Sequence, residues 1–124
     1  MPKYEFTVTA LPQYVGEQSD PEADDYRFAY TMTIRNTGDV PAKLISRHWV
    51  ITDSNGEVKE VRGPGVVGEQ PVLKPGEAFQ YTSGTQMPTP VGKMSGAYQC
   101  VAADGTTFEA TIPEFILAMP RTLH

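Results

Sequence analysis

Side chains alternate strictly along one stretch of this chain, and that alternation limits the structures it can form. From residue 26 to residue 35, tyrosine, phenylalanine, methionine and isoleucine occupy every second position, with arginine, alanine and threonine between them. Successive side chains of a β-strand point to opposite faces, so this pattern buries one face of a strand and exposes the other. We therefore predict a strand over residues 26–35.

The same alternation returns along most of the chain, and helical periodicity is nearly absent. We predict further strands over residues 4–10, 44–51, 57–62, 78–81, 97–101 and 106–112. Turn residues separate two pairs of them, Asp53-Ser54-Asn55-Gly56 in the first and Asp104-Gly105 in the second. Asp-Gly favours a tight primed turn because both residues tolerate positive φ. Eleven glycines and eleven prolines act against long helices.

Short strands and frequent turns predict an all-β fold. In a chain of 124 residues, seven or eight such strands are typical of an antiparallel β-sandwich of immunoglobulin or fibronectin type III-like kind, with a small closed barrel as the alternative. We expect a single domain over residues 1–124, because a chain of this length buries one core. Residues 16–24, 63–71 and 84–92 are predicted as loops, where a site is expected.

The charge balance and the lone cysteine limit the partners and the location. Ten basic residues against fifteen acidic ones give a net charge of -5, which repels a phosphate backbone, so we expect no nucleic-acid partner. No apolar run approaches the roughly 20 residues that span a bilayer, and the first residues lack the layout of a signal peptide. We therefore expect no membrane insertion and a cytoplasmic location. Cys100 agrees, because small secreted domains usually carry paired cysteines.

The predicted loop at residues 63–71 contains the spacing G-x-G-x-x-G. It comprises Gly63, Pro64, Gly65, Val66, Val67, Gly68, Glu69, Gln70 and Pro71. In dinucleotide-binding folds this spacing follows a strand and opens a helix whose N-terminus holds a pyrophosphate. Here no amphipathic helix follows, so we interpret the glycines as part of a tight connection. Pyrophosphate or nucleotide binding is the alternative function, with Arg62 and Lys59 as the nearest cations.

Binding or sensing of a divalent cation, by His48 or by the acidic stretch from Glu17 to Asp25, is a further alternative. Five carboxylates, those of Glu17, Asp20, Glu22, Asp24 and Asp25, fall within one predicted loop. Hard cations prefer oxygen ligands, but this spacing does not match an EF-hand loop. The two histidines, at positions 48 and 124, and the single cysteine have no recognisable zinc spacing. We therefore interpret the stretch as a solvated loop, assign no metal ligand and expect no cofactor.

No residues form a recognisable catalytic constellation, so we predict that the chain is not an enzyme. A nucleophilic Cys100 would need His48 as its base, and an unpaired cysteine in a strand usually behaves as a small buried hydrophobe. Arg47, His48, Trp49 and Arg62 form the candidate binding surface beside the loop at residues 63–71. Trp49 is expected in the core, since sandwiches often bury one tryptophan, and the alternative places it on an exposed face of its strand.

Several ordered motifs resemble those of the ApaG family. They are Tyr30-Thr31-Met32-Thr33-Ile34-Arg35-Asn36, Ser46-Arg47-His48-Trp49, the loop at residues 63–71, Lys74-Pro75-Gly76-Glu77, Tyr81-Thr82-Ser83-Gly84, and the stretch from Gly92 through Met94 and Gly96 to Tyr98. Together they extend over nearly the whole chain.

The resemblance implies a fibronectin type III-like β-sandwich in a stand-alone bacterial protein. It also implies association with cobalt resistance and magnesium efflux. In eukaryotes the same domain is fused to F-box proteins and to a polymerase-interacting protein, which implies a role in protein interaction. From the residues and the resemblance together, we expect a binding module whose partner is a protein.

Overall fold

A computed structural model describes residues 2–120, and its regular structure is almost entirely β-strand. Within this range eight strands follow one another: β1 (Phe6–Tyr14), β2 (Tyr26–Asn36), β3 (Ala42–Asp53), β4 (Val58–Pro64), β5 (Val72–Leu73), β6 (Ala78–Met87), β7 (Val91–Ala102) and β8 (Thr107–Ala118). Two short 3₁₀ turns, Gly16–Gln18 and Pro21–Ala23, lie between β1 and β2. Residues 2–120 include no helix with the length and hydropathy that crossing a membrane requires.

The described strands form two antiparallel sheets, which confirms the predicted all-β sandwich. The first sheet has the order β1-β2-β6, and the second has the order β4-β3-β7-β8 with β5 paired to the start of β3. The most deeply buried core side chains come from both sheets and include Phe28, Met32, Ile34, Leu44, Met94, Tyr98, Ile112 and Leu117. Burying each such side chain contributes about 1.5–3 kcal/mol.

One register shift in β3 decides the direction of Trp49. The pairing of β3 with β7 shifts between Leu44 and Ser46, which marks a β-bulge. Because a shift of one residue moves every later side chain to the other face, Leu44 is buried before the bulge and Trp49 and Ile51 are buried after it. Trp49 is only 3% exposed, so the prediction of a buried tryptophan is confirmed.

Both predicted hairpins are present, and a glycine closes each of them. Gly56 donates its N–H to the carbonyl of Asp53 and has φ +83, and Gly105 donates to Ala102 with φ +89. In each turn only the glycine has positive φ. Both turns therefore end in a β-bulge at the glycine. Asp104-Gly105 does not form the primed turn that its sequence predicts.

The prediction of a loop over residues 84–92 is wrong for most of that range. β6 continues to Met87 and β7 begins at Val91, so only residues 88–90 lie outside strands. β1 also extends beyond its predicted end, past Pro12 to Tyr14. Pro12 is tolerated because β1 is an edge strand, where a missing N–H need not interrupt the ladder. Residues 16–24 and 65–71 lie outside the eight strands, as predicted, whereas Gly63 and Pro64, predicted as the start of the second loop, belong to β4.

Candidate functional site

The two sheets are closed along one side and open along the other. On the closed side β1 packs against β8, whereas the remaining edge strands, β4 and β6, make at most isolated contacts. A cleft lies between β4 and β6, formed by two adjoining depressions of about 280 and 340 Å³. Its lining includes Tyr30, Arg47, Trp49, Val66, Tyr81 and Ser83.

The loop predicted from the glycine spacing forms one end of this cleft. Pro64, Val66 and Val67 line it. Val66 is fully buried, whereas Val67 is 55% exposed. A tight turn, in which Val66 and Glu69 each donate an N–H to the other's carbonyl, holds the two valines in place. The loop therefore supplies an apolar wall to the cleft.

Close packing and backbone conformation explain the glycines of this loop. Gly65 has φ +60, and a Cβ there would collide with the carbonyl of Glu69. Gly68 has φ +82. Gly63 lies against the guanidinium of Arg47, where an added Cβ would be 2.8 Å from Nη2. No helix follows the motif within residues 2–120. This arrangement fits the tight connection that the sequence predicts.

Arg47 projects into the cleft and is half-buried there. Its Nη1 donates to the carbonyl oxygens of Pro64 and Gly65 at 2.8 and 2.9 Å. These two bonds hold the guanidinium against the loop. In the part of the chain that the structure describes, Arg47 takes part in no ion pair.

A buried tyrosine pair lies beside Arg47. The hydroxyl oxygens of Tyr81, which lines the cleft, and of Tyr98, in the core, are 2.7 Å apart. Burial raises the pKa of Tyr81 to about 12 and also raises the pKa of Tyr98, while the charge of Arg47 acts in the opposite direction on both. Both hydroxyls are therefore neutral hydrogen-bonding groups at pH 7.

The tyrosine pair predicts a loss of stability in alkali. The unfolded chain loses its phenolic protons near the ordinary pKa of 10.0, whereas folded Tyr81 keeps its proton until about pH 12. Between these values the unfolded state binds fewer protons and is favoured, so the free energy of unfolding falls as pH rises. Below this window both states are protonated, and the full stability is present. Each such tyrosine contributes a slope of about 1.4 kcal/mol per pH unit.

Denaturant unfolding below and within this pH window measures the slope. Tyr81→Phe removes one of the titrating groups, so its free energy of unfolding should fall less steeply with pH than that of the wild type. A variant that follows the wild-type slope throughout would contradict the assignment.

His48 and Arg62 lie on the opposite face of the sheet from Trp49. His48 Nε2 is 2.8 Å from Glu60 Oε1, and Arg62 Nη2 is 3.9 Å from the same oxygen. A separate depression of about 470 Å³ lies beside them. The candidate surface of Arg47, His48, Trp49 and Arg62 is thus divided between two faces, because neighbouring side chains of a strand alternate.

The structure also places the residues considered as metal ligands or as a nucleophile. Within residues 2–120 no three histidine, cysteine, aspartate or glutamate side chains gather to hold a metal ion. In the acidic stretch, Asp25 pairs with Arg27 at 3.1 Å. Cys100 is buried, and burial raises its thiol pKa to about 12, whereas His48 lies on the outer face of the sheet. His124 lies outside the described residues.

β6 supplies cleft residues that the sequence reasoning missed. Ser83 and Thr85 line the cleft and lie opposite Tyr30 and Phe28 in the register with β2. The predicted strand ended at Tyr81, two residues too early to include them. The composition of β6, which has neither a charged residue nor a proline over its ten residues, is compatible with a longer strand but does not identify cleft residues.

Relatives among known proteins match the chain over its whole length. The family model described as the ApaG domain matches residues 16–102, which include every cleft residue named above. Protein ApaG of Dechloromonas aromatica is 65% identical over 122 residues, with 98% of this chain and 96% of that protein covered. Protein ApaG of Ralstonia nicotianae is 62% identical, with 100% of both chains covered. A crystal structure of the putative ApaA protein from Bordetella pertussis is similar with a TM-score of 0.94 and 59% identity, covering 98% of each chain.

Proposed function

The chain belongs to the ApaG domain family, and from this premise we propose that it is a non-enzymatic module that binds another protein. It receives an extended segment of its partner as an additional strand along the free edge of β6. A protein is favoured over a nucleic acid because the net charge of the chain is -5.

The unprotected edge of β6 carries this proposal. Sheets usually protect long edge strands with charges, prolines, bulges or covering segments, because an open edge pairs readily with another chain. β6 has ten residues, none of them charged and none of them proline. It pairs with β2 without a register shift. An edge of this kind is suited to main-chain recognition of a peptide.

The other edge strands carry the protection that β6 lacks. β4 contains Lys59 and Arg62 and ends at Pro64. β1 contains Pro12 and packs against β8. β8 contains Pro113 and pairs with β7 through a register shift. The contrast singles out β6 among the edges of the described sheets.

Alternate residues of β6 direct their N–H groups to the free edge. Asn36 donates its N–H to the carbonyl of Glu77, and the alternation of antiparallel pairing then fixes the direction of each later amide. The N–H groups of β6 that point away from β2 are those of Ala78, Gln80, Thr82, Gly84 and Gln86. An added strand would form hydrogen bonds with these groups.

Peptides with a blocked backbone test strand addition. Random peptides of ten residues, the length of β6, are selected on the full chain, and the tightest binder is resynthesised with one N-methyl group at each position in turn. Methylation at every second residue should weaken binding about tenfold, since each removes a hydrogen bond to β6, and methylation between them should have little effect. A uniform loss at all positions would contradict strand addition.

Thr82→Pro and Thr82→Ala are the matched protein variants. Both remove a hydroxyl that lies 2.8 Å from the Thr31 hydroxyl, but only proline removes an N–H that faces the free edge. Circular dichroism checks that both variants are folded. Binding that is lost in the proline variant and kept in the alanine variant supports the proposal, and equal binding by the two variants counts against it.

A further inference from the structure

The cleft beside β6 has the opposite charge from the rest of the protein. The chain has fifteen acidic and ten basic residues, yet the described residues that line the cleft include Arg47 and Lys59 and neither aspartate nor glutamate. A concave site with apolar walls, here Trp49 and Val66, strengthens the field of its charges. An anionic group is therefore the favoured occupant.

Arg47 has hydrogen-bond donors available for such a group. Its Nη1 donates to the carbonyls of Pro64 and Gly65, and within residues 2–120 these are the only hydrogen bonds of the Arg47 side chain. A guanidinium carries five N–H donors in a planar fork that matches the two oxygens of a carboxylate. Half-burial reduces the hydration of the remaining donors, so a bound carboxylate would satisfy them.

We propose that the partner segment carries an aspartate or glutamate whose carboxylate is bound by Arg47, with Lys59 adding to the attraction. The inference rests on the proposed strand addition at β6. An added strand would lie along the mouth of the cleft and direct alternate side chains into it. The residue two positions from the acid would then face the apolar side of the cleft, where Val67 is exposed and Trp49 and Val66 are buried. A β-branched or aromatic residue is expected there.

Three backbone N–H groups of the loop at residues 63–71 are already engaged within the protein. The N–H of Gly65 donates to the carbonyl of Ile45, and the N–H groups of Val66 and Glu69 donate to each other's carbonyl oxygens. Phosphate cradles need N–H groups that converge on the anion. These three groups are unavailable to an anion, whereas the side chain of Arg47 keeps free donors that suit the carboxylate of an acidic peptide.

Selection of random peptides on two proteins tests the acidic preference. Peptides of ten residues are selected on the wild-type chain and on Arg47→Gln. The wild-type pool should be enriched in aspartate or glutamate at one position, two residues from a β-branched or aromatic residue. The Arg47→Gln pool should lose the acid and keep the alternating β-branched residues, since β6 is unchanged.

The two pools separate failure of this inference from failure of strand addition. An acid preference that survives in the Arg47→Gln pool, or is absent from the wild-type pool, overturns the role of Arg47 and leaves strand addition standing. Two pools without alternating β-branched or aromatic residues overturn the proposed function and this inference with it.

Affinities give a second readout. One selected peptide is compared with a version that has the amide in place of its acid, on both proteins. Either single change should weaken binding about tenfold to a hundredfold, the effect expected for a charge-assisted hydrogen bond. Both changes together should weaken it no further, because they remove the same interaction. Losses that multiply would overturn the pairing.

A further variant separates the charge of the cleft from the support that Arg47 gives to the loop. Arg47→Gln also loses the bonds to Pro64 and Gly65, whereas Lys59→Gln removes a charge from an exposed position. Lys59→Gln should weaken binding of the acidic peptide about twofold to threefold and leave the amide version unchanged. Equal weakening of both peptides would overturn the charge argument. Inorganic pyrophosphate that displaced the peptide at equal concentration would assign the cleft to a small anion and overturn the proposal.

Discussion

Replacing Asn36 with alanine is expected to lower the free energy of unfolding by about 3 kcal/mol, because it leaves buried backbone groups without partners. Asn36 is 2% exposed. Its Nδ2 donates to the carbonyls of Val40 and Leu73 at 2.8 and 2.9 Å, and its Oδ1 accepts from the N–H of Gly38 at 2.9 Å. One side chain thus connects the end of β2 to β5 and to the turn before β3.

Gln80→Ala is the matched control for Asn36→Ala. Gln80 also donates a side-chain hydrogen bond, to the Thr33 hydroxyl at 3.0 Å, but on the exposed face of the same sheet. Water replaces that bond, so the loss should stay below about 1 kcal/mol. Urea unfolding at neutral pH measures both variants. A loss for Asn36→Ala no larger than that for Gln80→Ala would show that the buried bonds have little weight.

Replacing Gly96 with alanine is also expected to cost about 3 kcal/mol, at the upper end for an overpacked interior. Gly96 lies opposite Trp49 in the register of β7 with β3. A Cβ on Gly96 would collide with the carbonyl of His48, a backbone group that cannot rotate away. We expect β3 to shift locally, and the emission of Trp49 to change with it, since this is the only tryptophan of the chain.

Gly84→Ala serves as the control for Gly96→Ala. Gly84 also lies within a strand, but its nearest neighbour to an added Cβ is the carbonyl of Phe28 at 3.2 Å. A movement of a few tenths of an ångström relieves that contact, so the cost should stay below about 1 kcal/mol. Denaturant unfolding and tryptophan emission are recorded for both variants. Unchanged emission and stability in Gly96→Ala would refute the close approach of the two strands.

The strands could be predicted wherever one face is buried along its whole length. β2 alternates strictly between buried and more exposed positions from Tyr26 to Asn36 and was predicted almost to its ends. The bulge after Leu44 could not be predicted, because it depends on how β3 pairs with the distant β7. The prediction ended β6 at Tyr81 because its later inward side chains, Ser83 and Thr85, face the open cleft and carry no apolar signal.

The candidate site was predicted in part. The loop at residues 63–71, which its turn composition singled out, lies at the cleft. Trp49, which was singled out as the only tryptophan of the chain, lies there too. Arg47 and His48 lie on opposite faces of the sheet because successive side chains of a strand alternate. Which of the two faces inward depends on the bulge in β3. The role of β6 was missed because an edge is defined by which strands fail to pair, a property of the assembled sheet that no short segment reports.

The position of β1 at the edge of its sheet also determines how this module can be tethered. Polypeptide that precedes Phe6 joins the molecule at β1, which β2 separates from β6. The other end of the described chain runs beside the connection between β6 and β7, where the Met119 N–H donates to the carbonyl of Pro90. A second domain, a surface anchor or a fluorescent label attached before Phe6 would therefore leave the β6 edge accessible.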